Sequence, residues 1–502
     1  MVHVRTVKTA SGARAVQIVY SNRGGKRRIE HIGSAHDDVE LELLKTVARQ
    51  RMLVGQGQLD LGLQPPPEAG GPLPITSTRM ELLADALTSA YSALGFDAVT
   101  DSDAVFISLV LARIIEPTSK LDSLRVLAEA GLAPPAYATL KRRLPAYADE
   151  TWRTGLASAC AAHAQLGPTS LVLYDVSTLY FETDQGDGFR EPGFSKERRL
   201  EPQITIGLLT DADGFPLRVE AFEGNKAETA TMLPTITAFM AAHQLTDVTV
   251  VADAGMLSDA NKKALETAGL SFIIGGRIPQ VPYVVQAWRT AHPDTEPADQ
   301  QIWVQPKPAS ATDGRKDHTI VYQYRADRAR RTLRGIDEQV AKAQKAIEGK
   351  ASVKRNRFVQ ITGGTKTLNQ QLVDKARSLA GIKGYETNLP DPTPEHIIGA
   401  YHQLWHVEKA FRMSKHDLQA RPIYHRLKDS IEAHLTVVWA ALAVSKWIET
   451  TTSWSIRRFV KTARRYRTIT IQAGDHTVTA ADPVTGDLAH AIDAIKLRAS
   501  GH

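Results

Sequence analysis

Cysteine is almost absent from this 502-residue chain, and the single one, Cys160, excludes any intrachain disulfide and every zinc site that needs two thiolates. It stands in the alanine-rich stretch ASACAAHA and reads as a small buried residue. Long apolar runs are missing too. The longest near the C-terminus, Leu435 to Val444, is about half of what spans a bilayer. The opening stretch MVHVRTVKTASGARAVQIVY scatters its charges and has no apolar h-region, so no signal peptide is expected and the chain is placed in the cytoplasm, without a membrane partner. Charge of one sign is scarce as well. Lys and Arg number 61 against 55 Asp and Glu, a net charge of +6, which points to a polyanionic partner only if it is concentrated somewhere. With 43% hydrophobic and 23% charged residues, the composition excludes a disordered or collagen-like chain. The length implies two to four structural units.

Residues 1–60 alternate apolar and polar around SGA and NRGG turns and then enter a short helix from about Val39 to Leu53, which reads as a hairpin unit with one helix. Residues 61–75 hold five prolines and two adjacent glycines and read as a linker. Over 76–165 apolar residues recur at helical spacing, and the basic run TLKRRL with Lys141, Arg142 and Arg143 fits either a DNA-reading helix-turn-helix or an ordinary solvated edge. From 166 to 278 the pattern becomes three strands (LVLYDVSTLYF, QITIGLLT, LRVEAFEG), helix, strand (VTVVAD), helix, strand (SFIIGG), the order of an RNase H-like mixed α/β core. Residues 279–383 interrupt it as an inserted subdomain, with strands expected at Val281 to Ala287, Gln301 to Val304 and Thr319 to Tyr324, then a charged helix from Asp327 to Glu348. The core resumes over 384–450 with a strand at GYETN, a helix from about Glu395 to Lys415 and another from Arg426 to Thr450. Residues 451–502 read as a basic C-terminal tail.

Three carboxylates stand out. Asp175 lies inside the first core strand, on the face shared with Leu171 and Leu173, where a charge is costly. Asp253 ends VTVVAD just beyond a run apolar enough to be buried on both faces, which aims it at the C-terminal edge of the sheet. Glu408 shares a helical stripe with Tyr401, Leu404, Trp405, Phe411, Arg412 and Lys415 and is expected within the apolar face, where it serves either a site or an ion pair with Arg412 or Lys415. Carboxylates from the first strand, the fourth strand and a later helix of such a core would converge to hold two divalent cations about 4 Å apart, Mg²⁺ or Mn²⁺, for in-line attack at a phosphodiester.

On these residues the chain resembles a bacterial insertion-sequence DDE transposase, of the group whose glutamate helix bears a Tyr-Arg-Glu-Lys signature. YHQLWHVEKAFRMSK supplies Tyr401, Glu408 and Lys415 at the signature spacing, while Leu404 stands where the arginine belongs and Arg412 is the candidate to replace it. The strings YDVSTLYFE, GFSKERRLEPQITIGLL, DGFPL, FEGNKAET, VADAGM and AFRMSKHDLQARPIYHR extend the likeness over roughly 170 to 450. The resemblance implies that Asp175, Asp253 and Glu408 are catalytic metal ligands and that Tyr401 and Lys415 contact DNA phosphates. It further implies double-stranded DNA partners, the terminal inverted repeats and the target, held by a homodimer across paired ends. Two other readings stay open, a metal-dependent nuclease of the same core and a non-catalytic DNA-binding remnant or regulator.

The positive charge is concentrated. From Arg457 to Arg467 there are six basic residues and no acidic one. Arg457, Arg458, Lys461, Arg464 and Arg465 step as one helical face, which predicts a groove for a DNA backbone.

Overall fold

The fold is that of a computed structural model, which describes residues 2–9, 12–21, 27–53, 73–167, 170–183, 185–193, 201–245, 248–253, 255–256, 258–276, 278–309, 316–350, 356–362, 364–421, 423, 425–473 and 476–501. The expected linker falls outside them up to residue 72, as do residues 194–200 of one of the family-like strings.

The N-terminal unit has a third strand beyond the expected hairpin. β1 (Val2–Lys8), β2 (Arg14–Ser21) and β3 (Arg27–Ala35) pair antiparallel in that order, and α1 (Asp38–Leu53) covers them. Val16, Ile18, Leu41 and Ala48 form a small core there, separate from the main one. After β4 (Ile75–Arg79) come the helices α2 (Glu81–Ala93), α3 (Phe96–Val99), α4 (Ala104–Ile115), α5 (Lys120–Ala130), α6 (Tyr137–Arg143) and α7 (Glu150–Ala164). Their ends are written locally. Asp103 caps α4 by accepting from the Val105 and Phe106 amides at 2.9 and 2.8 Å, and Ser119 caps α5 through the Asp122 amide. Gly131 closes α5 at φ +83°, where a Cβ would also collide with Arg79.

The centre of the molecule is an eight-stranded mixed sheet. β5 (Leu171–Tyr180), β6 (Gln203–Asp211) and β7 (Pro216–Glu223) form an antiparallel meander; α8 (Met232–His243), β8 (Thr249–Ala252), α9 (Asp259–Thr267) and β9 (Ser271–Gly276) follow. β8 and β9 run parallel to β5. Next in the chain are α10 (Tyr283–Ala291), β10 (Ile302–Lys307), β11 (His318–Tyr324), α11 (Ala326–Ile347), the hairpin β12 (Val359–Thr362) and β13 (Thr365–Leu368), α12 (Gln370–Ser378) and β14 (Ile382–Thr387). The complete order across the sheet is β10-β11-β14-β9-β8-β5-β6-β7.

Two expectations about the 279–383 stretch are corrected. Residues 283–291 are helical, because Pro282 starts a helix in which only Val285 is fully buried. The stretch is also not wholly separate, since β10 and β11 extend the main sheet through β14, and only α11, α12 and the β12–β13 hairpin build a core of their own around Ile336, Phe358 and Val373. A buried ionic cluster fastens β11 to its neighbours. His318 bonds to Glu386 of β14 at 2.8 Å and to Glu266 of α9 at 2.6 Å, while Lys262 reaches Glu386 at 2.8 Å.

Beyond β14 lie α13 (Pro394–His402), α14 (Leu404–Arg412), a π-turn over Met413–Asp417, and α15 (Lys428–Thr452). α15 is the one helix among the described residues long and apolar enough to cross a membrane, yet it runs through the protein core with 94% of its apolar window buried. It packs on α2, α4 and β7, so helical layer and sheet share one continuous core. The C-terminal stretch is no tail. α16 (Ile456–Ala463) leads to β15 (Thr468–Ala473) and β16 (His476–Ala481), β15 pairs antiparallel with β4, and α17 (Gly486–Ser500) lies on α2 and α15.

Candidate active site

Strand register brings the first two carboxylates together. β5 and β8 pair in parallel with Leu171 opposite Thr249 and Leu173 opposite Val251, so continuing the same offset puts Asp175 level with Asp253. Level residues on neighbouring parallel strands share a face and lie about 5 Å apart at the backbone. β8 is buried throughout and stops at Ala252, after which the Met256 amide turns back onto the Asp253 carbonyl at 3.0 Å. Asp253 therefore emerges exposed at the sheet's edge, and Asp175 is partly exposed beside it.

Tyr401 of α13 bears directly on this edge. Its hydroxyl donates to Asp253 Oδ1 at 2.7 Å, and its ring is buried against Tyr385, edge to face at 5.0 Å. Glycine at 275 makes the approach possible, because a Cβ there would sit 2.7 Å from the Tyr401 oxygen. Burial raises the Tyr401 pKa, and the Asp253 carboxylate, then Glu408, push it further the same way, so the phenol stays a donor.

Lys383 of β14 places its ammonium 4.0 Å above the Tyr401 ring. Burial and the nearby Arg328 of α11 lower its pKa, while Asp253 and Glu408 oppose them. Both carboxylates thus face this one cation. Lys383 escaped the sequence reading because GIKGYETN resembles any half-buried strand. Lys415 is brought to the other side, where the π-turn lets its ammonium donate to Ser177, two residues beyond Asp175 on the same face of β5.

Glu408 is not buried, contrary to expectation. The helix breaks at Gln403, where the amides of Gln403 and His406 make short-range bonds to Ala400 and Gln403. Past the break the face that packs inward is Leu404, Val407, Ala410 and Phe411, leaving Glu408 exposed. Leu404, at the signature arginine position, is part of that core. Among the described residues Glu408 pairs with neither Arg412 nor Lys415. Arg412 instead lines a cleft of about 400 Å³ with Glu449 and Trp454. α14 packs across β5 and α13 across β8, so Glu408 is carried on the layer above the two aspartates. Among the described residues no three metal-ligating side chains are gathered closely enough to enclose an ion. The donor set is nonetheless all carboxylate oxygen, the chemistry that suits Mg²⁺ or Mn²⁺.

The profile of the transposase DDE domain family matches residues 166–444, the stretch from just before β5 into α15 that carries all three carboxylates. The chain belongs to this family. It is accordingly an enzyme, a DDE transposase. Among solved structures, a piggyBac transposase synaptic complex with hairpin DNA, determined by cryo-EM, is 11% identical, with 80% of this chain and 74% of that chain covered at a TM-score of 0.37. That likeness is too loose to establish a fold. No curated protein matches the chain.

The basic face expected on α16 of this transposase splits in two. Arg457, Lys461 and Arg465 are exposed and line a groove of about 840 Å³, which Arg464 and Arg467 also line and whose opposite walls include His36, Asp37 and Glu40 of the N-terminal unit, Pro117, and His416 to Gln419 beyond the glutamate helix. Arg458 lies about 100° round the helix from Arg457, stacks 3.9 Å over Trp454 and pairs with Asp487 at 3.2 Å. Arg464 is partly buried and tied to Glu116 at 2.8 Å, in a cluster where Arg125 joins Glu116 and Glu129. Arg143 of the TLKRRL run is likewise engaged, by Asp103, leaving Lys141 and Arg142 exposed.

Proposed function

We propose that the chain cuts DNA at the ends of its own element and joins the freed 3′-hydroxyls to target DNA at one site, with Asp175, Asp253 and Glu408 holding two divalent ions, Mg²⁺ or Mn²⁺. The observation that carries this is the parallel register of β5 and β8, which levels Asp175 with Asp253 beneath the helix bearing Glu408. When bound, such ions would activate water or a 3′-hydroxyl and stabilise the leaving oxygen. Tyr401 holds one Asp253 oxygen and so orients the carboxylate. Lys383 and Lys415 flank the carboxylates and neutralise the phosphates on either side of the cut bond, Lys383 taking over from the missing signature arginine.

The strand order β7-β6-β5-β8-β9, with β5 parallel to β8 and β9, supports an RNase H-like core. The groove lined by Arg457, Lys461 and Arg465 would seat the backbone of the inverted repeat. Arg412 and Arg458 face other neighbours and are secondary to it. A homodimer across paired ends, acting on the nucleoid of a bacterial cell, completes the proposal. Substituting Asp175→Ala, Asp253→Ala or Glu408→Gln should abolish Mg²⁺-dependent cleavage of labelled element ends while leaving their binding largely intact. Cut but unjoined products from the wild-type protein would indicate a nuclease, and shifted bands alone a DNA-binding remnant.

A further inference from the structure

The groove along α16 has fixed acids opposite its basic side. Arg457, Lys461 and Arg465 line one wall, and Asp37 and Glu40 at the start of α1 line the other. Neither carboxylate is free to turn aside, because both cap that helix: Asp37 Oδ1 accepts from the Glu40 amide at 2.8 Å, and Glu40 Oε2 accepts from the His36 amide at 2.7 Å. The second oxygen of Glu40 accepts from Arg467 at 3.3 Å, so one basic residue of the groove is already held by the N-terminal unit. A phosphate seated on the basic side would meet this acidic wall, and repulsion between like charges opposes it.

The unit that carries these acids is built as a separate body. Its apolar residues close on Val16, Ile18 and Leu41, and among the described residues none of them belongs to the main core. Polar side chains tie it to the rest: Glu40 to Arg467, Ser34 to Arg125 at 2.7 Å, and His31 to Glu129. The same ties rim a cavity of about 500 Å³ that has Leu43 and Leu44 of α1 on one wall and Ile75, Ile469 and Ala480 of the β4, β15 and β16 sheet on the other, so the unit is not packed flush against the body. Contacts of this kind exchange for water, whereas a shared apolar core does not. Glu129 moreover keeps Arg125 as a partner when His31 leaves. We infer that the N-terminal unit is an autoinhibitory cover, whose Asp37 and Glu40 stand in the groove in place of DNA phosphates and which swings away as a body when duplex DNA binds. Its departure also frees Arg467 to meet a phosphate.

This inference rests on the reading of that groove as a seat for DNA. Leu43 and Ala480 are exposed, uncharged and on facing walls of the cavity, and the one natural cysteine, Cys160, is buried. In the full-length protein Leu43→Cys and Ala480→Cys would be bridged by bis-maleimides of graded length and titrated with a labelled duplex of generic sequence. The bridged protein should bind about 10-fold more weakly, or worse, than the same double variant left unbridged, while each single variant treated with the reagent should bind as the wild type does. Glu40→Gln, with no bridge, should tighten binding by about 3-fold, which keeps the test decisive should the double variant fail to fold. Wild-type protein that does not bind the duplex would overturn both readings. Wild-type binding with no loss on bridging, or with Glu40→Gln binding no more tightly, would overturn the cover alone.

Discussion

At position 275 the lack of a side chain decides where the Tyr401 hydroxyl lies, and through it the orientation of Asp253. A methyl group there has no room, with its carbon 2.7 Å from the phenol oxygen. Gly275→Ala should therefore displace the ring and lower end cleavage by about 100-fold, with end binding and the melting curve little changed. A cleavage assay beside a binding titration checks this. Asp253 was legible in the sequence because four buried-type residues ending in a carboxylate and a glycine mark a strand that stops at a site. Glu408 was legible by its spacing to Tyr401 and Lys415, but its exposure was not: the stripe assumes one unbroken helix, and the turn at Gln403 resets which residues face inward. Lys383 could not have been found in this way, since nothing in the linear pattern ties it to Asp253 on a strand two positions away in the sheet.

Among the elements, the contact of β11 with β14 and α9 depends on a charge. Burial alone would lower the His318 pKa, but hydrogen bonds and the charges of Glu386 and Glu266 outweigh it and raise it above 6.5. Burial alone would raise Glu386, and its bonds to His318, Lys262 and Lys307 instead hold it well below the carboxylate range. A raised histidine contributes stability that is complete below pH 6.5 and lost as pH climbs through its folded value. The Glu386 contribution is present above its unfolded value near 4.5 and vanishes only in strong acid. Protection of the β11 amides from hydrogen exchange, taken relative to the intrinsic base-catalysed rate, should therefore fall as pH rises above 6.5, and His318→Gln should remove that fall. Equal pH dependence in the variant would contradict the clamp. The sequence showed β11 as a strand but assigned it to a separate inserted unit. It joins the main sheet by antiparallel pairing with β14, reinforced by Glu266, His318 and Glu386, residues far apart in the chain that no periodicity links.

Across the whole molecule, a net charge of +6 resolves into particular places. The window from Arg457 to Arg467 looked like one basic face, yet Arg464 serves internal packing with Glu116 and Arg458 turns to Trp454 and Asp487. Of the basic residues lining the groove beside the glutamate helix, Arg457, Lys461 and Arg465 are exposed, whereas Arg464 and Arg467 are tied to Glu116 and Glu40. Replacing these three by alanine should reduce the salt slope of DNA binding by about 3, whereas Arg458→Ala should leave it unchanged; equal effects would return the whole helix to surface charge. The C-terminal stretch read as a tail because its strands are short and polar, and the pairing of β15 with β4, nearly four hundred residues earlier, together with the packing of α17 on α2 and α15, makes it part of the body. The most direct test remains a labelled element end incubated with Mg²⁺, a target plasmid, and protein carrying Asp175→Ala, Asp253→Ala or Glu408→Gln. Loss of both cut and joined products in all three, with end binding kept, is the expected result, and Mg²⁺-dependent cleavage surviving in any one would contradict a three-carboxylate site.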